Sequence, residues 1–356
     1  MLRGLEIYRY RGIRECVLDG LTDVNILIGR NNVGKSSVLE ALYLASAAFK
    51  FKDPLDRGDK ITHLLNRRGD RGLSWEKGKE VLWYGYDDDK EVEVVLKTIK
   101  NKIVKIVLWS SHNHPLVAIK VGAYTPVCFL CFRGFNPATK GWYPLASKDL
   151  EGTLEGDVPG FRSFVESTVL IDASLMRSIR CVEESLWPQL LMRRLDKLVV
   201  EVLKGGYDVE IEDLTYAPLY GTYQLMAKLP DTAVRVDDLG DGARYALVMV
   251  MAAALARNTA MLIEEPESHQ HPGGLDKTVK MLLKLAKENK IQLFISTHSV
   301  ELVRLLEARG QEVGLEVATF FLERDSEGRV SVRRVRPDDR RLLEDLGLDV
   351  RFLDLI

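Results

Sequence analysis

A chain of 356 residues, 46% hydrophobic and 29% charged, has the composition of a globular protein with a large core, and its length suits two domains or one elaborated domain. With 50 basic residues against 52 acidic ones the net charge is −2, which excludes a global basic field and leaves nucleic acid only a local patch to bind. The longest apolar run, Ala246 to Ala256, is too short for a bilayer, which needs about twenty residues; a cytoplasmic protein without membrane contact is expected.

Residues 1 to 28 read as two or three short strands, with Leu5 and Ile7 followed by ECVLDGL and then the apolar run Val24, Ile26, Leu27 and Ile28. Next comes Gly29, four residues, then Gly34, Lys35 and Ser36, the complete Walker A pattern. Behind it Val38, Leu39, Ala41, Leu42 and Ala45 recur at helical spacing, so the motif falls on a strand-loop-helix turn. A glycine-rich turn with a surface lysine would match the spacing but not this context. Glycines let backbone N–H groups converge on one point, and the positive end of a helix adds about half a unit charge, so the turn suits phosphate. Gly29, Arg30, Asn31, Asn32, Val33, Gly34, Lys35, Ser36 and Ser37 are therefore the expected ATP-binding residues. Lys35 would neutralise the β- and γ-phosphates and the Ser36 hydroxyl would ligate Mg²⁺.

The helix is expected to end between Phe49 and Lys52. From Asp53 to Lys79 the chain turns polar and basic, with His63, Arg67, Arg68 and Arg71, and reads as a mobile surface segment. Strand periodicity then covers Val81 to Tyr86, Val92 to Ile99, Ile103 to Trp109, Leu116 to Val121 and Pro126 to Phe132, an antiparallel meander. His112 and His114 sit in one of its turns, and two histidines alone make no metal site. Cys16, Cys128, Cys131 and Cys181 form no disulfide framework; Cys128 and Cys131 read as strand cysteines, because no second Cys or His pair accompanies them. Residues 160 to 204 read as helical, with Leu191, Leu195, Leu198, Val199 and Val202 on one face and Gly205 and Gly206 as the stop. No heptad pattern persists, which argues against a coiled-coil arm.

From Met261 the pattern is βαβ: a strand at Met261 to Ile263, a helix striped by Leu275, Val279, Leu282, Leu283 and Ala286, and a strand at Ile291 to Ile295. Thr319 to Glu323 and Arg329 to Val335 read as a hairpin, and a leucine-bearing segment from Leu342 to Leu348 is expected to pack back. MLIEEPE puts two carboxylates where a buried strand meets solvent, the Walker B arrangement. Glu264 is expected to hold the Mg²⁺ water shell and Glu265 to orient or deprotonate the attacking water. The strand IQLFIS ends at Thr297, His298 and Ser299, from which His298 can reach a γ-phosphate. Lys35, Glu265 and His298 are the candidate catalytic residues, and Ser36 and Glu264 the candidate metal ligands.

NNVGKSSVLEAL, IEEPESHQHP and STHS, in that order, resemble the ABC-type ATPase heads of the SMC, RecF and OLD-like group, most of all small ATPases classed with AAA domains. The resemblance covers residues 1 to 50 and 236 to 310. It implies an α/β P-loop NTPase fold with an ABC-like head, a mixed sheet core, an antiparallel meander and a helical lobe. On that plan residues 1–140 form the nucleotide lobe, 141–235 the helical lobe and connection, and 236–356 complete the ATPase core. It also implies a signature loop at Leu239, Gly240, Asp241, Gly242 and Ala243, with Gly240 replacing the serine that would bind a partner's γ-phosphate. Backbone N–H groups and Arg244 are left to make that contact, in a loop that tolerates no side chain near Gly242. Glu267, Ser268 and His269 fall in the D-loop region, and no glutamine loop is assigned.

Two functions follow from the resemblance. In the first, two copies close head to tail around ATP and hydrolysis reopens them; in the second, a slow or non-hydrolysing nucleotide-gated scaffold serves a defence or toxin module. A homodimer formed on ATP binding is expected, with DNA and a separately encoded effector protein as further candidate partners. Arg67, Arg68, Arg71, Arg193, Arg194, Arg333, Arg334 and Arg336 are candidates for a phosphate-binding patch. The 58 residues after His298 are too few for the nuclease domain of OLD-like proteins.

Overall fold

The computed structural model describes residues 1–69, 72–110, 116–121, 128–136, 141–144, 160–177, 179–207, 210–219, 221–336 and 339. Thirteen strands form one sheet. Its antiparallel half carries β1 (Leu2–Tyr10), β2 (Ile13–Asp19) and the meander β4 (Val92–Thr98), β5 (Ile103–Trp109), β6 (Leu116–Val121), β7 (Cys128–Asn136) and β8 (Gly141–Pro144). Its parallel half carries β3 (Val24–Ile28), β14 (Gln292–Ser296), β13 (Ala260–Glu264) and β9 (Val169–Ile171). The terminal hairpin β15 (Val317–Arg324) and β16 (Arg329–Val335) joins the halves: β15 runs parallel to β3, and β16 pairs with β2. A separate three-stranded sheet, β10 (Asp213–Leu219), β11 (Thr222–Lys228) and β12 (Ala233–Arg235), had no counterpart in the sequence reading.

Alternation along the parallel strands feeds two cores. Val24, Ile26, Ile28, Met261, Ile263, Leu293 and Ile295 face one side, with α7 (Asp241–Leu255), α8 (Pro272–Asn289) and α9 (Val300–Val313) over them. Leu27, Leu262 and Phe294 face the other, where α1 (Lys35–Ala47) packs. Because both faces are covered, these strands are mostly apolar on both sides and show little period-two alternation, with buried Asn25, Gln292 and Ser296 as polar exceptions.

Around α1 stand α2 (Lys60–Asn66), the single turn α3 (Trp75–Gly78) and α4 (Phe161–Glu166); α5 (Ile179–Met192) and α6 (Asp196–Leu203) lie on the other face. Four expectations change. Residues 53 to 69 are not a mobile surface: Arg57, Lys60 and Arg67 have side chains at most 6% exposed or fully buried, tied into ion pairs and hydrogen bonds. Val81 to Tyr86 is not a strand but two short 3₁₀ turns, broken where Gly85 (φ 64°) and Tyr86 (φ 60°) take left-handed backbone. The helical stretch 160 to 204 is interrupted by β9, whose three apolar residues are too few for a period to declare itself. The helix after Walker A also stops earlier, at Ala47. Arg71, His112, His114 and the segment from Leu342 to Leu348 lie outside the described residues. Cys128 and Cys131 lie on β7 as expected.

Candidate functional site

Three parallel strands, β3, β14 and β13, end side by side, and each leads into a segment singled out by sequence. After β3 the chain turns through Gly29 (φ 142°) and Gly34 (φ 106°) into α1. A Cβ on Gly29 would lie 2.4 Å from the Leu322 carbonyl oxygen on β15, so both backbone angle and space demand glycine. No side chain caps the N-terminus of α1, which leaves its first amides available to an anion. Lys35 is 6% exposed and its ammonium donates to the carbonyls of Gly29 and Arg30, both at 2.9 Å, curled over the loop it would serve. Burial pulls its pKa down to about 8, against the opposing pull of the Glu265 and Glu267 charges. Arg30, Asn31 and Asn32 are exposed on the loop, while Val33 and Ser37 are buried.

At the end of β13 the two adjacent carboxylates part company. The Glu264 side chain is 10% exposed, and burial pushes its carboxyl up, opposed chiefly by Arg67 and slightly by the Ser36 hydroxyl. Its Oε2 accepts from Arg67, whereas Oε1 is buried with no hydrogen-bond partner. Glu265 takes left-handed backbone (φ 43°) with its N–H on the Ser296 carbonyl, and its side chain is half exposed with Oε1 3.6 Å from His298 Nε2. Such a φ in a residue with a side chain is strained and is kept where geometry matters. Glu267 Oε1 accepts from the Thr297 hydroxyl and, at 3.3 Å, from the His298 N–H, so it holds the turn that carries the histidine. Lys35, Ser36, Glu264, Glu265 and His298 thus share one edge of the sheet.

A buried carboxylate oxygen without a donor, beside a serine hydroxyl at a helix N-terminus, fits a hydrated Mg²⁺ that arrives with phosphates. Among the described residues no group of three or more His, Cys, Asp or Glu could hold a metal by itself.

Behind this edge lies a charge network that sequence reasoning missed. Glu40, on α1, is fully buried and meets Arg11, Arg67 and Arg68. Burial would raise its carboxyl, but the three guanidinium groups hold it down at about 2. Asp172, just after β9, accepts from Arg57 (3.3 Å), Arg67 (2.9 Å) and Ser174 and pairs with His63 (2.8 Å), which outweighs burial and sets it well below the carboxylate range. The available signal was Glu40 itself, one acid inside the apolar helix SVLEALYLASA. Arg67 is therefore interior and leaves the phosphate-patch candidates. Arg68 pairs with Glu40, Arg333 with Glu323 and Arg334 with Glu316, while Arg193, Arg194 and Arg336 are exposed.

The signature candidates lie at the start of α7. Gly240 is exposed with open space around it, but Gly242 is buried, and a Cβ there would lie 2.5 Å from the His269 carbonyl oxygen. The intolerance expected at Gly242 therefore arises within one chain, against the turn that carries His269. Arg244 is held near Asp241 (3.4 Å) and Asp237 (3.7 Å).

Comparison with known proteins agrees with this layout. The family described as "AAA ATPase domain" matches residues 1–114 and 184–303. An "ATP/GTP phosphatase" of Helicobacter pylori (strain ATCC 700392 / 26695) is 21% identical over 360 residues, spanning 92% of this chain and 94% of that protein. The DNA replication and repair protein RecF of Francisella tularensis subsp. mediasiatica (strain FSC147) is 24% identical over 113 residues, 32% of this chain and 29% of that protein. A solved SmcHead bound to the C-winged helix domain of ScpA superposes with TM-score 0.53 at 10% identity, covering 96% of this chain and 99% of that one, a likeness of fold. Among the described residues no helix is long and apolar enough to cross a membrane. The two matched stretches carry both nucleotide motifs and most of the sheet that aligns them, and the chain belongs to the AAA ATPase domain family.

Proposed function

We propose that this chain binds ATP with Mg²⁺ and hydrolyses it, and that two copies close head to tail over two nucleotides to act on DNA or a partner protein. The observation that carries the reading is the convergence of Lys35, Ser36, Glu264, Glu265 and His298 at the ends of three adjacent strands. Lys35 would exchange its two carbonyl partners for phosphate oxygens, and the uncapped amides of α1 would receive the same group. Mg²⁺, held through Ser36 and the water shell on Glu264, would supply charge neutralisation at the phosphates. Glu265, half exposed and 3.6 Å from His298, would take a proton from water, and His298 would touch the terminal phosphate. A cleft of about 500 Å³ lined by Arg11, Tyr84, Tyr86 and Arg68, with Arg68 3.4 Å from Ser37 Oγ, offers rings on which the base could stack.

In this reading residues 1–140 and 236–356 build the nucleotide core and 141–235 supply the helical lobe, in a cytoplasmic protein. Exposed Gly240 would approach the partner's nucleotide through backbone alone. DNA as the object rests on the RecF relative and on exposed Arg193, Arg194 and Arg336. That same Gly240, lacking a hydroxyl, favours a second reading in which closure is weak and the protein is a slow nucleotide-gated scaffold for a separately encoded effector. Phosphate release by the purified protein, with light scattering in the presence and absence of ATP, tests the reading. Steady turnover with an ATP-dependent dimer supports the first function, binding without turnover supports the second, and a folded protein that binds no nucleotide refutes both.

A further inference from the structure

Arg67 is 6% exposed and reaches three carboxylates on three elements: Nη1 donates to Glu40 on α1, Nε to Asp172 after β9 at 2.9 Å, and Nη2 to Glu264 at the end of β13. Its position at the end of α2 is fixed by its neighbours on that helix. Asp59 caps the helix by accepting from the Thr62 N–H at 2.7 Å, Lys60 bonds Ser46 Oγ at 2.8 Å and the Glu166 carbonyl at 2.9 Å, and His63 shares Asp172. Around Arg67 the cluster sets Asp53, Glu40, Asp172 and Glu264 against Arg11, Arg57, Arg67 and the half-exposed Arg68, with His63 on Asp172. A dication at the unpartnered oxygen of Glu264 would stand beside the charge of Arg67, which already holds the other oxygen.

Resting on the Mg²⁺-nucleotide reading of the site, we propose that Arg67 is the resident counter-cation of the metal position: it occupies one oxygen of Glu264, opposes a divalent cation at the other, and yields that contact when metal and nucleotide load together. Glu40 and Asp172 make the exchange feasible, since Arg67 keeps two carboxylate partners when Glu264 turns to the metal. A buried guanidinium left with no partner would be strongly disfavoured; one that loses one of three is not. Arg67 is thus a positioning residue, and its charge makes divalent loading depend on the phosphates that come with it.

The test is Mn²⁺ binding, followed by the free-Mn²⁺ paramagnetic resonance signal, to the full-length protein at pH 8 with and without saturating ADP. Wild type is expected to retain Mn²⁺ only with ADP. Arg67→Gln is expected to bind Mn²⁺ more tightly, by about fivefold or more with ADP, because a nearby like charge has gone. A merely structural arginine gives the opposite sign, so unchanged or weaker Mn²⁺ binding by a folded Arg67→Gln protein that still binds ADP overturns the proposal and leaves the nucleotide reading standing. A wild type that binds neither ADP nor Mn²⁺ refutes that reading and this one with it. If Arg67→Gln does not fold, the double variant Glu40→Gln/Arg67→Gln, which removes one charge of each sign, carries the test. Tighter Mn²⁺ binding than wild type supports control by charge, because the cation that touches Glu264 has gone, and unchanged or weaker binding refutes it.

Discussion

The two glycines at the start of α7 separate a packing requirement from an interface requirement. At Gly242 even one methyl group would sit 2.5 Å from the His269 carbonyl oxygen and 3.4 Å from the Gln270 Cα, both backbone atoms that cannot swing aside. Overpacking of that kind costs about 1–3 kcal/mol, so Gly242→Ala should lower the midpoint of urea unfolding of the isolated protein by a corresponding amount, ATP or no ATP. Gly240 has φ −58°, an ordinary value, and open space around it, so Gly240→Phe should change stability by less than about 0.5 kcal/mol. The same Gly240→Phe protein should bind ATP normally yet fail to form an ATP-dependent dimer in light scattering. A Gly242→Ala protein as stable as wild type would refute the packing argument. A Gly240→Phe protein that dimerises and turns over normally would place this loop away from any partner nucleotide.

Lys35→Ala removes the cation that, in the proposed reading, would meet phosphate; with a charge-assisted bond worth about 1.5–3 kcal/mol, nucleotide affinity should fall at least about tenfold in fluorescence titration, and unchanged affinity in a folded variant would sink the site. Glu265→Gln should bind ATP as wild type does but release phosphate about a hundredfold more slowly and accumulate as an ATP-bound dimer; if Glu264→Gln stopped turnover while Glu265→Gln did not, the two roles are reversed. Glu183, buried on α5 with Asp237 beside it and Arg244 in partial opposition, has a carboxyl raised from 4.5 to about 7, chiefly by burial. Because the native state then holds a proton that the unfolded chain has lost, stability should fall as pH rises from about 5 to 7. Glu183→Gln should flatten that slope and add about 1–3 kcal/mol at pH 8, and an unchanged slope in urea unfolding across this range would exclude Glu183 as its source.

The parts of the site legible in the sequence were those in which a backbone shape demands particular residues. Gly29 and Gly34 are required by their φ values and by a neighbouring carbonyl, and the carboxylates of MLIEE stand out because a buried strand has no use for them. What stayed hidden was long-range charge. Arg57 and Arg67 look like solvated basic residues in a glycine-bearing loop until the fold brings Asp172, 105 residues from Arg67 and following a strand of only three residues, against them. No local period encodes an ion pair at that separation. The mistaken strand at Val81 to Tyr86 has a local cause: apolar and aromatic residues suit either geometry, and the left-handed backbone at Gly85 and Tyr86 settled it.

The placement of Gly242 bears on how the two halves of a composite site could communicate. The start of α7 packs on the His269 carbonyl, and the turn containing His269 begins at Glu265 and carries Glu267. Glu267 in turn grips Thr297 and the N–H of His298, and Glu265 faces the His298 ring. Farther along the turn Gln270 bonds Pro266 and Tyr207, which also meets Thr278 on α8, so the segment is braced from both sides. A push on α7 by a second copy would therefore meet a rigid wedge rather than a pliable loop. With His269 unable to compress toward Gly242, the displacement has to emerge at the other end, where Glu265 and His298 stand 3.6 Å apart and about half exposed. Closure and catalysis are coupled in this scheme by one short turn, and loosening it at Gln270 should uncouple them. Gln270→Ala is expected to dimerise with ATP but hydrolyse it more slowly, as read by light scattering and phosphate release on the same sample. Equal losses of both, or of neither, would show that the turn transmits nothing.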